Sequence, residues 1–428
     1  MNMNILKTVF KNEVFPALGC TEPIAVAYAA SIAAKELGDE IEEIRIAVDP
    51  GVYKNGMAVT VPNTGGERGN LIAGVLGALI RKPELKMQIL KNVEAEMIRR
   101  ATELIQTNKA KIVCDKSKTD LYIEVLLKTS QDSARAIIES GHTNLVYLEK
   151  NNTPIFQKDA ETEQSNDKDY KRYLKDMSIS DLADLAENMD TEDYEYVRQG
   201  VDMNLKLSEA GQSLKKVSHY LSDLKKKGYL AEGIFSSTEI MTASATDARM
   251  AGMDFPAMAS GGSGNQGIVA TLVPYNVGKF FEIGEKKIIQ SIALSHLINS
   301  YIKCFTGDLS PLCGCAIAAG VGAAVAIVYQ QKGKDMEKIT LAVNNLISDI
   351  GGMLCDGAKG GCALKVVSSS DSAIRSAYMA LNDHGITEKE GFVGKTAEET
   401  IYNLSRVSEI GMQKADDTML GIMMAKNR

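Results

Sequence analysis

Five of the seven cysteines in this 428-residue chain fall between positions 304 and 362: Cys304, Cys313, Cys315, Cys355 and Cys362. The backbone among them is rich in glycine, as in Cys355-Asp-Gly-Ala-Lys-Gly-Gly-Cys362. The N-terminus has no uncharged apolar core followed by a small-residue cleavage site, so no secretion signal is expected. A cytoplasmic location with reduced thiols follows as the expectation. Thiols gathered on backbone that can bend round an inorganic core point to an iron–sulfur cluster rather than to disulfides. That feature constrains fold and chemistry together.

The length exceeds what one hydrophobic core usually serves, so two domains are expected. The net charge of −7 supplies no basic surplus to neutralise phosphates, which argues against nucleic acid and against an anionic membrane surface. The most apolar run, 315–329, is too short to span a bilayer and is built of Ala and Gly, so it reads as a tightly packed helix. Only four histidines occur, His142, His219, His296 and His384, and none stands at metal-ligand spacing from another. Any metal would be held mainly by sulfur.

Residues 1–165 alternate helix and strand signals and are expected to form an α+β substrate-binding domain with a small mixed sheet. Helices are predicted over 24–37, 70–81, 84–105 and 133–140. Strands are predicted over 44–48, 57–61, 111–114, 121–128 and 145–149. The polar, charged run 159–172 has almost nothing to bury and is placed as a linker. Beyond it strand-type alternation nearly vanishes. Residues 166–428 are expected to be a mostly helical cluster-binding domain. The fold class is thus α/β plus all-α.

Among the cysteines, Cys355 and Cys362 form the strongest pair, because six intervening residues with three glycines let both sulfurs reach one cluster edge. An isolated pair of this kind would more often be two buried small hydrophobes; the neighbouring cysteines reverse that. Cys313 and Cys315 bracket Gly314, and side chains two apart diverge, so one of them is expected to ligate and the other to pack. Cys315 is favoured because it opens the Ala/Gly helix, where first-turn N–H groups suit negative charge. Cys304 and Cys114 read as core. Cys20 lies far away, before a helix with Pro23 in its first turn, where a lowered thiol pKa is expected.

Two glycine loops read as candidate carboxylate cradles. Ser260-Gly-Gly-Ser-Gly-Asn-Gln-Gly267 offers exposed N–H groups and hydroxyls but lacks the Lys-Ser/Thr ending of a nucleotide loop. Pro62-Asn-Thr-Gly-Gly-Glu-Arg68 is the second, with Lys54 and Asn55 just upstream. Either loop alone would equally be a plain turn.

Taken together, Gly19-Cys-Thr-Glu-Pro23, Lys54-Asn-Gly56, Asn63-Thr-Gly-Gly66, the 260–267 loop, Leu312-Cys-Gly-Cys-Ala316 and Met353-Leu-Cys-Asp-Gly-Ala-Lys-Gly-Gly-Cys362 resemble the iron–sulfur L-cysteine desulfidases. More distantly they resemble the bacterial iron–sulfur L-serine dehydratases, which carry a Ser-His-Thr motif where this chain has Cys20-Thr21. The match runs in order along nearly the whole chain. The resemblance implies a [4Fe-4S] cluster held by three cysteines, here Cys315, Cys355 and Cys362, with one iron open. It implies conversion of L-cysteine to hydrogen sulfide, ammonia and pyruvate without pyridoxal phosphate. Cys20 is the candidate base. Lys54, Asn55, Asn63, Thr64, Ser260, Ser263 and Asn265 are the candidate substrate-binding residues. The expected partner is the small amino acid L-cysteine; a homodimer is compatible with the sequence. The competing readings are an L-serine dehydratase and a non-catalytic iron–sulfur redox sensor.

Overall fold

The structure is a computed structural model that describes residues 4–118, 120–158, 169–307 and 310–426. Its strands are β1 (Pro16–Ala17), β2 (Glu43–Val48), β3 (Ala110–Cys114), β4 (Tyr122–Lys128), β5 (Ser133–Glu139), β6 (Leu145–Lys150), β7 (Thr153–Gln157) and β8 (Ala257–Met258). Six of them form one mixed sheet in the order β3-β2-β4-β5-β6-β7. The β2–β3 pair is parallel and the other pairs are antiparallel. The parallel pair needs a long crossover, which the helices between residues 50 and 106 provide.

Two large cores result, with two smaller buried clusters beside them. The first lies between the sheet and the helices Thr21–Lys35 and Asn70–Ile80. Those helices approach closely because Gly77 leaves room: a Cβ there would stand 2.0 Å from the Ala27 carbonyl oxygen. The second core belongs to the helices from Asp169–Asp176 onward. Leu6, Val9 and Phe10 of the first helix, Ile5–Glu13, and Val14 just after it also bury themselves there. Tyr196 donates to the Val14 carbonyl at 2.6 Å, and β1 pairs with β8. The chain therefore starts on the helical body and crosses to the sheet body at Gly19-Cys20. No helix among the described residues is long and apolar enough to cross a membrane.

The α/β plus all-α class stands, with several local corrections. Residues 133–140, predicted as helix, are strand β5. Ala134, Ala136 and Ile138 alternate inward with period two, and ladders on both sides outweigh the helix preference of Ala and Glu. Residues 57–61, predicted as strand, form a bend with a single bridge from Thr60 to Arg68. The predicted helix 84–105 divides into a 3-10 segment, Pro83–Asn92, and a helix, Ala95–Gln106. The apolar stretch after the 260–267 loop lies inside helix Gly264–Phe280. Most of the predicted linker, 159–168, falls outside the described residues; helix Asp169–Asp176 occupies its end.

Candidate active site

A cavity of about 1380 Å³ opens where the two bodies meet. It is lined by the helical body's Cys313, Cys315, Cys355 and Cys362 and by Cys20, Glu22, Asn55 and His142, with Cys20 and Cys362 in one buried cluster. Cys304 also lines it.

The thiol wall is assembled by backbone pairing between distant segments. The Cys313 amide donates to the Met353 carbonyl at 2.9 Å, and the Cys355 amide donates to the Pro311 carbonyl at 2.7 Å. Cys362 opens helix Cys362–Leu381, and its thiol points to the Gly357 carbonyl at 3.7 Å. Helix Ala318–Lys332 begins three residues after Cys315, so the 313–317 segment is a tight turn rather than the helix start predicted from sequence. The turn at Gly357 docks on the other body. Its φ of 89° is a left-handed value, and a Cβ would stand 2.3 Å from the Lys54 carbonyl, so only glycine fits. The Ala358 amide then donates to the Asn55 carbonyl at 3.2 Å.

The Cys313 and Cys315 sulfurs are 3.3 Å apart, close enough to share one proton. That contact, helped by the Lys365 ammonium, holds the Cys313 thiol below its ordinary value, while Cys315 is raised by its Cys313 partner and by burial. Lys365 is fixed by the Leu354 carbonyl at 2.7 Å and by Asp356 at 2.6 Å.

The second part of the lining is a hydrogen-bonded group around Glu22. Cys20 donates to Glu22 Oε2 at 2.9 Å, Thr21 donates to the same oxygen at 3.1 Å, and Asn55 Nδ2 donates to Oε1 at 3.2 Å. His142, from the tip of the β5–β6 hairpin, stands 3.9 Å from Oε1, and its Nε2 has no hydrogen-bond partner. Burial would raise the Glu22 carboxyl, but His142 and the Cys20 thiol outweigh it and hold it well below the usual carboxylate range. For Cys20 the expected lowered pKa is not found. Burial and then the Glu22 charge push the thiol up, against the pull of Arg249, so it is a proton donor to Glu22 here. The helix terminus loses because burial of the thiol, joined by a carboxylate at hydrogen-bond distance, outweighs the half charge of a helix end.

Of the predicted substrate residues, Asn55, Ser263 and Asn265 line the cavity. Lys54, Asn63, Thr64 and Ser260 do not, and each has another partner. Buried Lys54 pairs with Asp416 of the C-terminal helix Gln413–Ala425. Asn63 donates to the Leu90 and Lys91 carbonyls, and Thr64 donates to the Val61 carbonyl at 2.7 Å. The Ser260 hydroxyl lies 2.9 Å from both His296 Nδ1 and Asn299 Nδ2, beneath the loop. Glu22, His142, Arg249 and Gln266 line the cavity without having been singled out from sequence. Glu22 sits inside the quoted Gly19–Pro23 motif. Arg249 ends a helix, Ile234–Met250, that is buried from residue 242 onward, and a charge in so small-residue a helix was the available signal. His142 had none.

His296 yields a pH prediction. Burial lowers its pKa to about 3, so the native protein keeps it neutral. Between the ordinary value near 6.5 and about 3, the unfolded chain binds a proton that the native chain refuses. Stability is then lost as pH falls, by at most about 1.4 kcal/mol per pH unit. In urea titrations at pH 7 and pH 5, His296→Gln is expected to lose about 2 kcal/mol less than wild type on acidification. Equal losses in both proteins would contradict this.

The donor set fits an iron–sulfur cluster. Four buried or half-buried thiols stand on one wall, with the Lys365 cation behind them. Cys313 and Cys362 are near enough to raise Cys355 further. Among the described residues, no three His, Cys, Asp or Glu side chains close on a single ion. A cluster makes a different demand, since its thiolates bind different irons and their sulfurs stand apart.

A UPF0597 protein of Geobacter sulfurreducens is 59% identical over 424 residues, covering 99% of each chain. A UPF0597 protein of Elusimicrobium minutum is 54% identical over 425 residues, covering 99% of this chain and all of its own. A third, from Clostridium tetani, is 40% identical over 420 residues and 98% of each chain. The family profile described as serine dehydratase alpha chain matches residues 84–421, which include the whole thiol wall. By that match, the chain belongs to the serine dehydratase alpha chain family.

Proposed function

We propose that this protein is an L-cysteine desulfidase, converting L-cysteine and water to hydrogen sulfide, ammonia and pyruvate by non-redox β-elimination. The observation that carries the reading is the Cys20–Glu22 pair sharing one cavity with four further thiols, with Cys20 in one buried cluster with Cys362. Membership of the serine dehydratase alpha chain family supports a lyase acting on amino acids. Cys315, Cys355 and Cys362 would hold a [4Fe-4S] cluster, with Cys313 the alternative to Cys315. When bound, the cluster supplies a Lewis-acid iron for the departing sulfur.

The chain's own residues handle the proton. For Cys20 to act as base, its thiol proton must pass along the 2.9 Å hydrogen bond to Glu22, against the raised thiol and the lowered carboxyl, a cost that substrate binding must offset. The sulfur is then free to take the substrate Cα proton. Asn55 and Thr21 hold the Glu22 carboxylate in place for that exchange. Asn55, Ser263 and Asn265 contact the amino-acid backbone of the substrate. Aminoacrylate leaves and hydrolyses in water without further help.

The test is an oxygen-free preparation assayed for sulfide and pyruvate. L-cysteine is expected to yield both in equal amounts, with kcat/KM well above that for pyruvate from L-serine. Equal or better turnover of L-serine would replace this reading with serine dehydration.

A further inference from the structure

Arg249 is 98% buried, at 2% exposure, and no acidic side chain pairs with it among the described residues. Its Nη1 donates to Asn265 Oδ1 at 3.0 Å, and its Nε has no partner. A buried guanidinium without a carboxylate is costly, so such a site is expected to meet its anion from outside. The guanidinium lies against Gly264: a Cβ there would stand 2.2 Å from Nε. Gly264 is also the first residue of helix Gly264–Phe280, whose N-cap, Ser263, makes no side-chain capping bond. The free first-turn amides of that helix thus open into the same part of the cavity as the unpartnered Nε. Among the lining residues, Gln266 Oε1 and His142 Nε2 are also without partners, and beside the Glu22 carboxylate so is the acceptor Asn55 Oδ1. An unpartnered guanidinium nitrogen beside free helix amides, and an unpartnered amide oxygen beside a carboxylate, match the two ends of an amino-acid zwitterion.

We infer that Arg249, over the uncapped start of helix Gly264–Phe280, is the anchor for the α-carboxylate of the substrate, and that Asn55 Oδ1 receives its α-ammonium. This deepens the proposed function, on which it rests for the identity of the substrate, by restricting the site to free α-amino acids. Gly264 is the enabling residue, since any side chain there would displace the guanidinium.

The test separates binding from chemistry by using L-alanine, which has no β leaving group. Calorimetry on the intact, anaerobically prepared protein is expected to show binding of L-alanine and much weaker binding of ethylamine, which lacks the carboxylate. Arg249→Gln is expected to weaken L-alanine binding by about 10- to 100-fold, the usual worth of a hydrogen bond to a charged group. Its KM for L-cysteine should rise with less change in kcat, since the carboxylate is held equally before and during reaction. Gly264→Ala, which keeps the arginine and displaces it, should weaken L-alanine in the same direction. Iron content and thermal midpoint check that both variants remain assembled. Unchanged L-alanine affinity in assembled Arg249→Gln, or ethylamine binding as well as L-alanine, would overturn the assignment. Arg249-dependent L-alanine binding in a protein that releases no sulfide from L-cysteine would uphold the anchor and sink the desulfidase reading instead.

Discussion

Cys355→Ala is expected to lose iron, acid-labile sulfide and sulfide-producing activity together, each to a small fraction of wild type. The loss should exceed the ~10–100-fold that removing an outer-shell partner of a metal ligand costs, because a ligand itself is gone. The local fold should survive, since the bond from the residue 355 amide to the Pro311 carbonyl does not involve the side chain. Cys114→Ala is the matched control. Its thiol lies on strand β3 of the sheet, away from the cavity, and iron content and activity should both be unchanged. Full iron in Cys355→Ala would remove that residue from the ligand set.

Cys20→Ala is expected to keep its iron and lose kcat by about 10²–10⁴-fold, the range for loss of a positioned general base. The sulfur packs with Val59, Met250 and Cys362 in a small cluster, so some loss of stability is also expected, on the order of 1 kcal/mol for so small a side chain. The diagnostic is the combination: cluster absorbance retained, thermal midpoint close to wild type, turnover nearly gone. A fully active Cys20→Ala would assign proton abstraction elsewhere, with Glu22 the nearest acceptor at the same place.

Both variants depend on one geometric fact, the docking of the two bodies across the cavity. The turn at Gly357 and Ala358 rests on the Lys54 and Asn55 backbone. Lys54 is buried beneath it and pairs with Asp416 of the last helix. The Lys54-Asn55-Gly56 motif therefore divides its labour. Asn55 faces the cavity, while Lys54 ties the sheet body to the C-terminal helix.

Much of this was legible in the sequence because the signals are local. Period-two alternation and Ala-rich helical runs announced the sheet body and the helical body. Cysteine spacing and glycine content announced the soft-donor wall, and the Gly19–Pro23 motif placed Cys20 at a helix start. Strand β5 was misjudged where intrinsic preference and pairing disagreed, and only its two neighbours decide such a case. The state of Cys20 was misjudged for a similar reason. Its helix end is local, but its burial and the orientation of Glu22 toward it are tertiary.

The sequence by itself determined which residue types suited to chemistry the chain holds and at what spacing: the thiols, Cys20 and the glycine loops that let backbone bend. Only the tertiary structure decided which of them share a cavity. It set Asn55 at the wall while turning Lys54, Asn63, Thr64 and Ser260 to other partners, and it brought in His142 and Arg249 from a hairpin tip and a buried helix end. The physical reason is that residue type and spacing fix what a side chain is able to do. Burial, partners and net charge at its tip depend on segments hundreds of residues apart.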